Sequence, residues 1–309
     1  MKLEKILLKY NKEDLKVSLT YLGLFFNEND TEDDLRNMIL SYLLNFDNFK
    51  KILRVLPEYS YNKIVSGETK VKIDEDMRLY NELKVYSLGF GDFRKVELAD
   101  EFIEYINKID FKEFNKSREK QLWLYACVNF ANTFYGIYNF DVLEKMIKQN
   151  TKIHLSHTEI RTRFLDLPQS VECEYFDSAN MIVNKSYSDE IKEILKRQGN
   201  KPFYIPSYKE IMEFFMKGYI NNVYYDLYEN YKAYLNDGLG DETKIIMYNQ
   251  LATNYTNLDE IFREFYSNTK FETIQKLNEC KSNFDSMALT TRNVYNRGFT
   301  SQEITNIRN

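Results

Sequence analysis

The sequence predicts a mainly α protein: helical modules with small β-hairpins in winged-helix-like units, closed by a C-terminal helical bundle. Ten glycines and four prolines are less than half of the roughly 12% of residues that average usage supplies. That is too few turn-formers for a β-sandwich or for the glycine-rich loops of a nucleotide-binding fold. The chain carries 25 Tyr and 22 Phe against one Trp, enough bulk to fill several cores. Its apolar residues recur at i, i+3, i+4 and i+7, the period of a helix with one buried face. With 43% hydrophobic and 29% charged residues, global disorder is excluded, because the apolar content is sufficient to offset chain entropy.

The 309 residues divide into four expected modules. In the first, 1–44, the stripe Leu3, Ile6, Leu7, Tyr10 makes one helix. Asn11 caps a second through Leu15, Leu19 and Leu22, and Gly23 ends it in the left-handed conformation that glycine favours. Thr31 with Asp34 three residues on reads as a capping box for a third helix through Leu35, Met38, Ile39 and Tyr42. This helix, turn, loop and helix, in LKVSLTYLGL and TEDDLRNMILSYL, is similar to SAP-like or Rho-N-like modules. The resemblance implies a nucleic-acid-binding fold. Phosphate contact would call for Lys or Arg where Glu32, Asp33 and Asp34 open the third helix, so it implies the fold more than the activity.

The second module, 45–110, is expected to hold three short helices and a two-stranded ribbon. The helices run through Phe49, Ile52, Leu53 and Leu56 to Pro57, through Tyr61, Ile64 and Val65 to Gly67, and from Met77 to Tyr86. The ribbon begins at Gly89-Phe90-Gly91, ahead of a helix through Phe102, Tyr105 and Ile106. The third module, 111–200, repeats the order. Helices through Leu124, Val128 and Phe134, through Val142, Leu143 and Met146, and over His157 to Leu165 precede the alternating run Val171, Cys173, Tyr175 and its return Met181-Ile182-Val183. The fourth, 201–309, is the helical bundle. A long helix is expected from Ser207, with Glu210 as its capping partner, through Phe214, Phe215, Tyr219 and onward to Leu235. Amphipathic stretches through Ile246 to Tyr255 and Asn257 to Phe265 follow, and Thr300 with Glu303 caps a last helix after Gly298.

KPFYIPSYKEIMEF, the Tyr-rich helix after it, FYGIYNFDVLEKM and TTRNVYNRGFTSQEI together resemble the helical region of poorly characterised bacterial proteins that carry a C-terminal SEC-C zinc motif. No Cys cluster follows GFTSQEI here, so the resemblance implies an architecture and an association with regulation or mobile elements, without a metal or a reaction.

Few chemistries fit. Cys127, Cys173 and Cys280 are odd in number and widely spaced, unlike a disulfide framework, and suit a reducing cytoplasm. The apolar run Ile6-Leu7-Leu8 is too short for a signal peptide, and nothing approaches a membrane span. His154 and His157 are the only histidines. They lack the HExxH spacing of a zinc protease and a second ligand pair. Walker, GxGxxG and nucleophile-elbow patterns are missing, and the acid pairs, such as Glu172 with Glu174, read as solvated surface. Neither catalysis, a metal nor a cofactor is expected.

Two binding surfaces remain. The helix His157–Leu165, as the third helix of a winged unit, would present Thr158, Arg161, Thr162 and Arg163, with Lys152 and His154 near its start, to nucleic acid. The wing acids Glu172, Glu174 and Asp177 oppose this by like charge with phosphate, and the net charge of −5 adds no attraction. The second surface is the aromatic helix with Tyr224, Tyr225, Tyr228, Tyr231 and Tyr234, a side-chain type enriched at protein interfaces. The expectation is a cytoplasmic, non-enzymatic bacterial or phage protein that binds a protein partner in regulation, defence or counter-defence. Nucleic-acid binding through the second winged unit is the alternative.

Overall fold

A computed structural model of the chain describes residues 1–73, 77–168, 173–220, 241–253, 257–267 and 269–308. It is 63% helical, with two small three-stranded antiparallel sheets, so the mainly α class with small hairpins holds. Among the described residues no helix is long and apolar enough to cross a membrane. The chain forms two compact units, Met1–Tyr125 with Thr158–Val171, and Ala126–His157 with Glu172–Asn309.

The first unit begins with α1 (Leu3–Leu7), α2 (Lys12–Leu22) and α3 (Glu32–Leu43). Their ends are set locally. The Asn11 side chain accepts from the Asp14 amide, Gly23 closes α2 at φ 70°, and Thr31 and Asp34 form a reciprocal capping box. Then follow α4 (Phe46–Val55), α5 (Glu58–Val65), β1 (Lys70–Lys72), α6 (Met77–Val85), β2 (Gly89–Gly91), β3 (Lys95–Leu98), α7 (Asp100–Ile106) and the first part of α8 (Phe111–Phe134). The expected modules 1–44 and 45–110 share one hydrophobic core that runs from Leu3 to Phe114. Phe49 stacks on Phe102 at 4.9 Å within it. Buried hydrogen bonds tie the same two segments: Ser87 Oγ donates to Ser18 Oγ at 2.9 Å, and Tyr10 Oη donates to the Gly89 carbonyl at 2.9 Å.

The expected two-stranded ribbon is a three-stranded sheet in the order β1-β3-β2. Its extra strand is three residues long, too short to show an alternating pattern, and it exists because β3 offers it backbone partners. Glycine is required at β2, where a Cβ on Gly91 would stand 2.0 Å from the Lys95 carbonyl oxygen.

In the second unit, the later part of α8 leads into β4 (Ile137–Tyr138) and α9 (Phe140–Ile147). Next come α10 (His157–Leu165), all but its first residue in unit one, then β5 (Cys173–Phe176) and β6 (Met181–Asn184). The element order from α8 to β6 is three helices and then a hairpin, as expected, with β4 added to give the strand order β4-β6-β5.

The C-terminal region comprises α11 (Ile191–Gln198), α12 (Tyr208–Lys217), α13 (Asp241–Thr253), α14 (Leu258–Tyr266), α15 (Ile274–Thr290) and α16 (Ser301–Arg308). The helix expected to run from Ser207 to Leu235 stops at Lys217, because Gly218 takes φ 77° and caps it. Helix α15, not anticipated from the sequence, buries Cys280, Phe284, Met287 and Ala288 among polar neighbours. The segments KPFYIPSYKEIMEF and TTRNVYNRGFTSQEI lie against each other. The Tyr204 amide donates to the Arg297 carbonyl at 3.0 Å, and fully buried Gln198 bridges the carbonyls of Tyr135 and Val294.

Candidate binding surface on helix α10

Helix α10 buries Ile160 and Phe164. Its opposite stripe, Thr158, Arg161, Thr162 and Leu165, is exposed at i, i+3, i+4 and i+7. Leu165, at the C-terminal end of this stripe, is 66% exposed. Beside the stripe, within unit one, lies an open groove of about 490 Å³, lined by residues that include Arg54, Ser117, Gln121, Thr158 and Thr162.

Arg163, read from sequence as a nucleic-acid contact, is half buried and turned inward. Its Nη1 donates to Gln121 Oε1 at 3.3 Å and to the Ser117 carbonyl at 3.4 Å, while Gln121 Nε2 donates back to the Arg163 carbonyl at 2.9 Å. Burial pulls its pKa below the usual arginine value. The reason is helical geometry: Arg163 adjoins buried Phe164, and the wide face that α10 presents to α8 takes in both positions.

The groove's charges are largely matched from within. Asp166 pairs with Lys51 at 2.8 Å and stands 3.7 Å from Arg54, and Glu159 pairs with Lys120 at 3.5 Å. Arg54 lies over the Phe114 ring at 5.6 Å, and its Nε is buried without a hydrogen-bond partner. Sequence reading missed Arg54, Ser117 and Gln121 as site residues. Lys51 and Arg54 sit three apart on α4, away from its buried Phe49, Ile52 and Leu53. That spacing was the available signal, but nothing local tied it to α10 more than a hundred residues on.

Lys152 and His154 belong to the second unit, where both are exposed. His157 also belongs there, with Nδ1 3.5 Å from Glu144 Oε2 and its ring edge-on to Phe140 at 6.1 Å. Of the wing acids, Glu174 and Asp177 are exposed and Glu172 lies outside the described residues. Tyr224, Tyr225, Tyr228, Tyr231 and Tyr234 also lie outside the described residues. The three cysteines are free thiols, with Cys127 and Cys280 buried; burial pushes the Cys280 thiol up to about 11. Among the described residues no three His, Cys, Asp or Glu side chains gather closely enough to hold a metal ion.

The chain matches no family model, no curated protein and no solved structure.

Proposed function

We propose that this is a non-enzymatic binding protein that engages a protein partner through the exposed stripe of α10. The observation that carries the reading is the 66% exposure of Leu165 within the stripe of Thr158, Arg161 and Thr162. An apolar side chain beside polar ones matches the apolar-centre, polar-rim layout of protein interfaces. The groove beside it supports a protein over a phosphate backbone, because Asp166 and Glu159 already occupy its cations and Arg163 is held by Gln121. A role in regulation, defence or counter-defence in a bacterium or phage rests on the resemblance to SEC-C-associated proteins.

The test is affinity capture of the full chain from its native host after nuclease treatment, beside the variant Leu165→Asp. The expected result is a protein retained by the wild type and lost by the variant. Identical capture by both, or loss of every partner on nuclease treatment, overturns the reading.

A further inference from the structure

We infer that the solvent face of the first sheet is a binding surface for single-stranded nucleic acid. The pairing register puts Lys70, Glu97 and Phe90 in one row across the three strands, and Lys72 directly opposite Lys95 in another. Directly opposed residues share a face, and the buried residues Val71 and Val96 define the other face. The outer face is therefore built from Lys70, Lys72, Lys95, Glu97 and Phe90, together with Asp92, which exchanges backbone hydrogen bonds with Lys95 at 3.0 and 3.1 Å.

Three features distinguish it from ordinary solvated surface. First, Lys72 and Lys95 are like charges in direct opposition, an arrangement that destabilises a sheet. Lysines that merely protected an edge would not need this partner, since Lys95 lies on the central strand. An anion laid across the strands would relieve the repulsion. Second, among the described residues no carboxylate forms an ion pair with Lys70, Lys72, Arg94 or Lys95, all of them exposed. Among the described residues the two acids nearby each have a closer partner, while Glu97 also interacts through space with Lys70 and Asp92 with Arg94. Glu97 is 2.8 Å from the Met1 ammonium, and Asp92 Oδ1 accepts from the amides of Arg94 and Lys95 at 2.8 and 3.1 Å. Third, aromatics stand among these cations. The turn held by Asp92 presents Phe93, 58% exposed, with Arg94 next to it. Tyr80 packs against Phe93 at 5.8 Å, so the ring is braced despite its exposure. Lys9 Nζ lies 4.9 Å from the centre of the Phe90 ring.

Unpaired cations that track a backbone and rings that stack on bases are the two components of single-strand recognition. Stacking needs bases that are not already paired, so a duplex would use only the charges. This surface is separate from the α10 stripe and does not depend on the protein-partner reading.

The test is fluorescence anisotropy of the full chain with labelled oligo-dT, oligo-U and a mixed-sequence duplex, from low to moderate salt. The expected result is tighter binding to a single strand than to the duplex, with affinity falling as salt rises. Phe93→Ala should weaken single-strand binding about tenfold. Lys72→Gln with Lys95→Gln should reduce the slope of log affinity against log salt by about 1.4, roughly 0.7 for each lost phosphate contact. All three positions are exposed, and unchanged melting temperatures of the variants verify the fold. No binding to either single strand, equal binding to the duplex, or variants that bind as the wild type does would each overturn the inference.

Discussion

The Arg292 guanidinium lies over the Tyr204 ring, 3.5 Å from its centroid, and both residues donate to Glu210 Oε1 at 2.8 Å. Arg292 also donates to Glu303 Oε2 and to the Gly298 carbonyl, each at 3.0 Å. Its side chain is only 7% exposed, so its charge depends on these partners. Arg292→Ala would leave Glu210 without its cation. The expected loss is about 3–5 kcal/mol, as for other broken buried pairs, measured by chemical denaturation. Arg292→Lys keeps the charge but not the flat stack or the two-sided donation, and should recover only part of the loss.

The same cluster sets an acid dependence. Burial acts to raise the Glu210 carboxyl, but the Ser207 amide, Arg292 and the Tyr204 hydroxyl outweigh it and hold the pKa below the ordinary glutamate value. A carboxyl lowered on folding contributes stability that is present above its unfolded pKa and lost as pH falls through the folded one. Glu210→Gln should therefore melt below the wild type at neutral pH, with the gap narrowing under acid conditions. A gap that stays constant into acid would place the effect in packing instead.

Gly298 has φ +84°, and a Cβ there would stand 2.5 Å from Tyr135 Cε1. Gly67 has φ +75° and open space around it. Gly67→Ala should cost about 1–2 kcal/mol, the left-handed penalty alone. Gly298→Ala adds overpacking against a buried ring and should cost about 2–4 kcal/mol. Paired thermal melts separate the conformational part from the steric part.

Because Phe49 and Phe102 stack in a core shared with α1 to α3, Phe49→Ala should cost about 3–5 kcal/mol. It should also loosen residues 1–44 together with 45–110. Hydrogen exchange should show protection falling in both segments, whereas independent modules would leave the first unaffected.

Leu165 fills no cavity, so Leu165→Ser should change stability by no more than about 0.5 kcal/mol. A much larger drop in melting temperature would show that the exposed leucine is structural and would remove the main support for a partner at α10.

What was legible in the sequence was what neighbouring residues decide. Asn11, Thr31 and Ser207 cap helices because their side chains reach amides three residues on. Gly23 ends α2 because glycine takes a left-handed φ at little cost, whereas Gly218 ends α12 inside what the sequence reads as one longer helix. The apolar stripes likewise marked which face of each helix is buried, and the exposed positions Thr158, Arg161 and Thr162 followed from that period. Arg163 did not, because whether a long side chain on the edge of a stripe turns outward depends on what lies beside it, here Gln121 and Ser117 of α8.

The sequence by itself determined the helical class, most helix ends and the residues available for the cores, since these depend on contacts within about four positions. Tertiary structure alone decided the short strands β1 and β4, which have too few residues to carry a period and form only where a partner strand offers its backbone. It also decided the Arg292 cluster, assembled from residues more than eighty positions apart, and the opposition of Lys72 to Lys95. The sheet surface belongs to this second class, as does the charge balance beside the α10 stripe, because each is set by which elements distant in the chain meet.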